Sequence, residues 1–193
     1  MKYMIKLLSA TMMMLFFTTS AAFAMPSTKT VIMDDSFNLS TIHSIAVAMP
    51  DYIQTKNSPK IEDVMATLAQ SGFDAKQLKN VTVIPYTVIA NAIEKDSGVD
   101  LQTLDKNAAK KVFKQDIGKY ADAYLVATIA NDSRVVIFYD LYSAKNGAYL
   151  YSFEVIGGGQ GDNNINAYKS FNGLFYNGFA ESVKLQYKDK KAK

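Results

Sequence analysis

Cysteine and tryptophan are missing from this 193-residue chain, and histidine and arginine occur once each, as His43 and Arg134. Without cysteine there can be no disulfide, thiol nucleophile, iron–sulfur cluster or cysteine-ligated zinc. A domain of this size can fold without disulfides when its core is large enough. A histidine metal site or a serine triad would have to rest on His43, and no G-x-S-x-G elbow accompanies it. His43 therefore reads as a structural or surface residue. A single arginine supplies bidentate phosphate or carboxylate recognition poorly. Carboxylates are plentiful, and Asp34, Asp35 and Asp140 are candidates for a glycosidase acid pair. Nothing in their spacing marks a pair, and no tryptophan offers a sugar platform.

Long apolar runs are also scarce, and the one present opens the chain. Residues 1–24 place Lys2 and Lys6 before an apolar core from Leu7 to Phe17, then end on Ala22-Phe23-Ala24. This is the pattern of a cleavable secretory signal peptide. Its core is shorter than the roughly 20 residues of a spanning helix, so no transmembrane anchor is expected after cleavage. With no cysteine behind the cleavage site, an amino-terminal lipid anchor has no acceptor. The mature chain would start at Met25 and reside in the periplasm or outside a bacterial cell. Loss of Lys2 and Lys6 lowers the formal charge from +3 to +1, too balanced for a nucleic-acid partner. The sequons at Asn38, Asn80 and Asn131 carry little weight in a bacterial host.

The remaining sequence reads as a flexible lead-in (25–42), a single α/β (α+β) domain (43–187) and a basic tail (188–193). His43 to Pro50 is apolar and short, a buried strand stopped by proline, followed by a loop. In the next helix Ser58 suits the N-cap, Pro59 the first position and Gly72 the stop, with Ile61, Val64, Met65 and Leu68 on one face. Val81 to Tyr86 is a second strand. A helix follows with Val88, Ile89, Ala92 and Ile93 on one side, closed by Gly98. A third helix starts near Asp105, with Ala109, Val112, Phe113, Ile117 and Tyr120 facing inward and Lys110, Lys111 and Lys114 solvated. Strands over Ala123–Ala130, Arg134–Ser143 and Ala148–Ile156 are joined by short turns, the second containing Asn146-Gly147. Such connections force antiparallel neighbours. The order β-α-β-α-α-β-β-β-α predicts one mixed sheet with helices packed against it and an antiparallel meander in its second half.

The last helix, from about Asn163 to Tyr187, carries an aromatic face of Tyr168, Phe171, Phe175, Tyr176 and Phe179. Two readings apply: packing on the sheet, or a partner-binding surface. Gly173 and Gly178 interrupt this helix and are expected where helix and sheet approach closely. Before it stands Gly157-Gly158-Gly159-Gln160-Gly161. A dinucleotide loop needs a third glycine where Asn164 stands, and needs the first strand of a βαβ unit. The run reads instead as a strand-to-helix hinge. Asp162, Asn164 and Asn166 fit the first three positions of a calcium loop, but Ala167 and Gly173 occupy its glycine and glutamate positions. Asp162 reads as a helix cap. No cofactor or metal is expected.

Three segments, SIAVAMP, GKYADAYLVATIA and LYSAKNGAYLY, carry a resemblance. The chain resembles the periplasmic α/β domain shared by curli secretion channels of the CsgG type, the TolB amino-terminal domain and LpoB-type activators. Tyr120-Ala121-Asp122-Ala123-Tyr124 takes the helix-to-strand junction, and Ser143-Ala144-Lys145-Asn146-Gly147 takes the hairpin, with serine where aspartate is usual. The resemblance implies an envelope scaffold or interaction domain and brings no catalytic residues. The expected function is a non-enzymatic, exported domain that binds an envelope protein. The alternative is a periplasmic small-molecule or glycan binder, with tyrosine and phenylalanine lining a pocket.

Overall fold

Alternation with period two and recurrence at three- and four-residue steps divide the chain into strands and helices. The computed structural model describes residues 25–70, 72–73, 78, 80–132, 134–159 and 163–191; the expected signal peptide and residues 160–162, which include the end of the glycine run, lie outside these. The strands are β1 (Ser27–Ile32), β2 (Ser44–Val47), β3 (Asp51–Tyr52), β4 (Thr82–Ile84), β5 (Ala123–Asn131), β6 (Val135–Ser143) and β7 (Tyr149–Ile156). The helices are α1 (Ile61–Gln70), α2 (Tyr86–Ser97), α3 (Lys106–Asp116) and α4 (Ile165–Lys191). They form the expected α+β architecture, a single mixed sheet ordered β1-β7-β6-β5-β2-β4, with β3 paired to β5. β2 runs parallel to β4 and β5, while β5, β6, β7 and β1 form an antiparallel series. Among the described residues no helix is long and apolar enough to cross a membrane.

Each sheet face has its own core. Ile45, Val47, Leu125, Ile137, Tyr139, Tyr151 and Phe153 point to one face, where α1 and α4 bring Val64, Leu68, Phe175 and Phe179. Ala46, Ala48 and Tyr124 point to the other, under Ile89 and Ile93 of α2 and Phe113 of α3. Burial of each large side chain contributes roughly 1.5–3 kcal/mol.

Local chemistry sets the element ends. Asp105 caps α3 by accepting from the N–H groups of Asn107 and Ala108, and Gly98 closes α2 in the left-handed region at φ 72°. The β6–β7 turn has Gly147 at φ 70°, and Asn146 Oδ1 accepts from Ala148 N–H. The helix-to-strand motif has a structural reason as well. Asp122 Oδ2 accepts from His43 N–H (2.8 Å), Ser44 N–H (2.9 Å) and the Ser44 hydroxyl (3.0 Å), tying the start of β2 to the start of β5. Behind it, a Cβ on Gly118 would stand 2.9 Å from Ala144 O, so the 3-10 turn after α3 packs directly on the hairpin.

Several expectations are corrected. The stretch 25–42, expected as a flexible lead-in, supplies edge strand β1, antiparallel to β7, and the buried Leu39 and Ile42. An edge strand that buries little shows no period, since residues 27–31 are all exposed. Asp51–Tyr52, expected in a loop, extends alongside β5. Ser58 does not cap α1; it bonds Thr55, while Gln54 Oε1 accepts from Ile61 N–H at the helix start. α2 starts at Tyr86 and buries Tyr86, Ile89, Ala90 and Ile93, leaving Val88 exposed. α4 continues to Lys191, into the segment expected as a tail.

Candidate functional site

The helices do not cover their second face evenly. α2 and α3 lie over the β2 side, and the β6-β7-β1 side stays open. Register puts cross-strand rows on this open face: Lys29–Glu154–Phe138–Thr128, then Val31–Ser152–Asp140–Val126. Phe138, Val31 and Met33 are exposed there, at 38%, 38% and 46%. The next row is aromatic. Tyr149, Tyr142 and Tyr124 stack across β7, β6 and β5 at centroid separations of 4.9 and 5.3 Å. Phe113 of α3 meets Tyr124 edge-on at 6.1 Å, and Tyr86 of α2 stacks on Phe113 at 5.9 Å. Five rings from five elements thus run from the open face to the covered core.

Along this ladder, between α3 and strands β5 and β6, lies a cleft of about 180 Å³. Phe113, Tyr124, Val126, Tyr142 and Met49 provide apolar walls, and Asp51, Lys110, Lys114 and Asp140 provide charge. Asp51 pairs with Lys106 (2.9 Å) and with Lys110. Partial burial opposes its ionisation, but the two lysines outweigh this and hold its carboxyl below the usual range. Asp140 Oδ1 accepts from the hydroxyls of Tyr149 (2.6 Å) and Ser152 (2.8 Å). Tyr86 is buried, and its hydroxyl has no hydrogen-bond partner among the described residues.

The tyrosine hydroxyls around this cleft are held in their protonated form. Burial, the largest cause in each case, raises the pKa of Tyr86, Tyr124 and Tyr142. Burial followed by the bond to Asp140 pushes Tyr149 up to about 12. At neutral pH these hydroxyls are therefore protonated donors and not bases. No serine, cysteine or histidine is among the described lining residues. Elsewhere, Asp34 is held below its ordinary value, chiefly by the Ser36 hydroxyl, the opposite of what a general acid needs. Among the described residues no three His, Cys, Asp or Glu side chains gather as a metal site.

The residues expected to bind a partner lie on the opposite face of the sheet. Tyr168, Phe171, Phe175, Tyr176 and Phe179 are brought together, but each is at most 3% exposed. Phe175 stacks on Tyr139 at 4.8 Å, and the Tyr176 hydroxyl donates to Leu68 O at 2.7 Å. All five belong to the core cluster that α4 shares with the sheet and α1. Asp162 lies outside the described residues; Asn164 Oδ1 accepts from Asn166 and Ala167 N–H at the start of α4. Gly157 to Gly159 lack the left-handed φ that would require glycine.

The cleft was not foreseen because its rings come from distant segments. Its one sequence signal is in β6, where Val136, Phe138 and Tyr142 make the second face too apolar for a strand with one solvated side.

The sequence matches no known protein family and no curated protein. Among solved structures it is similar to a PelC dodecamer subunit from Paraburkholderia phytofirmans, with 13% identity, 81% of this chain and 98% of that chain covered, and a TM-score of 0.47. It is similar to lipoprotein GNA1162 from Neisseria meningitidis, with 17% identity, 62% and 83% covered, and a TM-score of 0.40. It is also similar to the LpoB carboxy-terminal domain from Escherichia coli, with 14% identity, 60% and 83% covered, and a TM-score of 0.38. LpoB thus recurs from the expected resemblance; the CsgG and TolB likenesses stay expectations. At these identities and scores the similarity carries nothing about activity or partners.

Proposed function

We propose that this chain is an exported, non-catalytic domain of the bacterial envelope that receives an extended segment of a partner protein on the free edge of β1. The observation that carries this is the position of β1. It ends the sheet, paired only to β7 among the described residues, beside the exposed apolar side chains of Val31, Met33 and Phe138. An unpaired edge offers backbone N–H and C=O groups to an incoming strand, and an adjacent apolar patch selects its alternate side chains. The partner segment is therefore an extended one with apolar residues at every second position. The leader pattern in residues 1–24 supports export.

The test places a photo-crosslinking amino acid at Val31, and separately at exposed Leu185 of α4, in the full chain expressed in its own host. One envelope protein captured from Val31 and not from Leu185 is expected, with capture lost in Lys29→Ala/Met33→Lys chains that carry the same crosslinker. An extended peptide from the captured protein should then shift the β1 amide resonances. Capture of a second copy of this chain would replace the partner reading with self-pairing. Equal capture from both sites, or none from Val31, overturns it. Export is checked by fractionation, which should find a chain beginning at Met25 in the periplasm or medium.

A further inference from the structure

We propose that the cleft between α3 and the β5–β6 face is a binding site for a small single-ring aromatic carboxylate. This does not rest on the β1 partner reading, because no β1 residue lines the cleft. Size comes first. At about 180 Å³ the cleft slightly exceeds the roughly 150 Å³ of an apolar cavity that takes up benzene. One ring with a short substituent fits within that volume. Shape agrees, since the walls include the flat rings of Phe113, Tyr124 and Tyr142, the last two stacked within 17° of parallel. Tyr124 and Tyr149 already stack on Tyr142, so a planar ligand meets these rings edge-on.

Charge selects the substituent. Lys110 and Lys114 both line the cleft, one turn apart on α3, where like charges repel. Asp51 is shared between Lys106 and Lys110, and Lys114 has no ion pair among the described residues. Two cations, Lys110 and Lys114, thus line the α3 side of the cleft, and only Lys110 of the two has a carboxylate partner. Asp140 is the opposing charge, but Tyr149 and Ser152 already donate to it. An anionic substituent at Lys114, with its ring against the edge of Tyr142, pairs the lining lysine that has no ion pair among the described residues. Tyr86 also lines the cleft, and its buried hydroxyl has no hydrogen-bond partner among the described residues.

The test is an amide NMR titration of the mature chain (25–193) with phenylacetate, phenethylamine and acetate. Saturable shifts confined to α3, β5 and β6 are expected with phenylacetate, and little response to the other two. Lys114→Ala should weaken binding roughly three- to tenfold, the range for a charge-assisted contact at a partly exposed site. Tyr142→Ala should weaken it roughly tenfold through the lost ring contact. Lys114 is exposed, so its variant tests the site even if Tyr142→Ala does not fold. No saturable response at millimolar phenylacetate overturns the proposal, as does an equal response to acetate, which would reflect a lysine with a simple anion. A preference for phenethylamine also overturns it and assigns the cleft to cations through Asp140.

Discussion

Gly178 on α4 lies so close to Phe153 on β7 that a Cβ built on the glycine would fall 2.3 Å from the ring's Cε2. This contact sets how deeply the helix sits on the sheet, because Phe153 is itself buried at 4% exposure and has little room to yield. Gly173, five residues earlier, has nothing within 4 Å of its missing Cβ. The two glycines should therefore respond oppositely to alanine. Gly178→Ala is expected to destabilise by about 1–3 kcal/mol through overpacking. Gly173→Ala should stabilise by about 0.5–1 kcal/mol through helix propensity. Urea denaturation of both variants checks this; similar midpoints would show that the helix does not depend on the close approach.

The Asp122 clamp carries a pH dependence. Partial burial raises its pKa, but the N–H of His43 and the hydroxyl and N–H of Ser44 outweigh this and leave it lowered. The folded value lies below the unfolded one of about 3.9. The stabilisation is therefore present above that pH and is lost as pH falls through the folded value. Asp122→Asn should cost about 1 kcal/mol near neutrality, a modest figure because the site is part-exposed. The gap to the parent chain should close below about pH 4. Thermal melts at several pH values read the gap directly, and a constant gap would mean that ionisation plays no part.

Inside the α4 core the Tyr139 hydroxyl donates to Asn172 Oδ1, with both residues buried. Removing either partner strands the other. Asn172→Leu alone and Tyr139→Phe alone should each destabilise by about 1–3 kcal/mol. The double variant should lose less than the sum of the two, since no unsatisfied group remains. A double-mutant cycle in urea measures the coupling, and strict additivity would rule out a coupled pair.

The second half of the fold was largely legible. The Asn146-Gly147 turn and the strand alternation on either side predict the meander that β5, β6 and β7 form. The helices were legible where one face alone is buried, as in α3, whose Asp105 start is a side-chain cap. β1 was not legible, because periodicity reports burial and Ser27 to Val31 are exposed. α4 shows a different limit. Its aromatic stripe marked a buried face, but a stripe does not say what buries it, and here β6 and β7 do. The cleft was hidden for a topological reason. Tyr86 and Tyr149 are 63 positions apart, and only the sheet order aligns the rings between them.

Asp51 offers a prediction whose sign separates electrostatics from packing in the cleft. It holds two lysines, and its side chain is 38% exposed. An ion pair this accessible contributes no more than about 1 kcal/mol, so Asp51→Asn should leave the fold intact. The substitution keeps the size of the side chain and frees Lys106 and Lys110. If Lys114 attracts a carboxylate by charge, the variant should bind phenylacetate more tightly, roughly two- to fivefold. The gain should fade as salt rises and the Debye length shortens. Titration of parent and variant at low and high ionic strength measures both effects. Unchanged affinity would mean that the ring alone holds the ligand, and weaker binding would mean that Asp51 positions Lys110 for it.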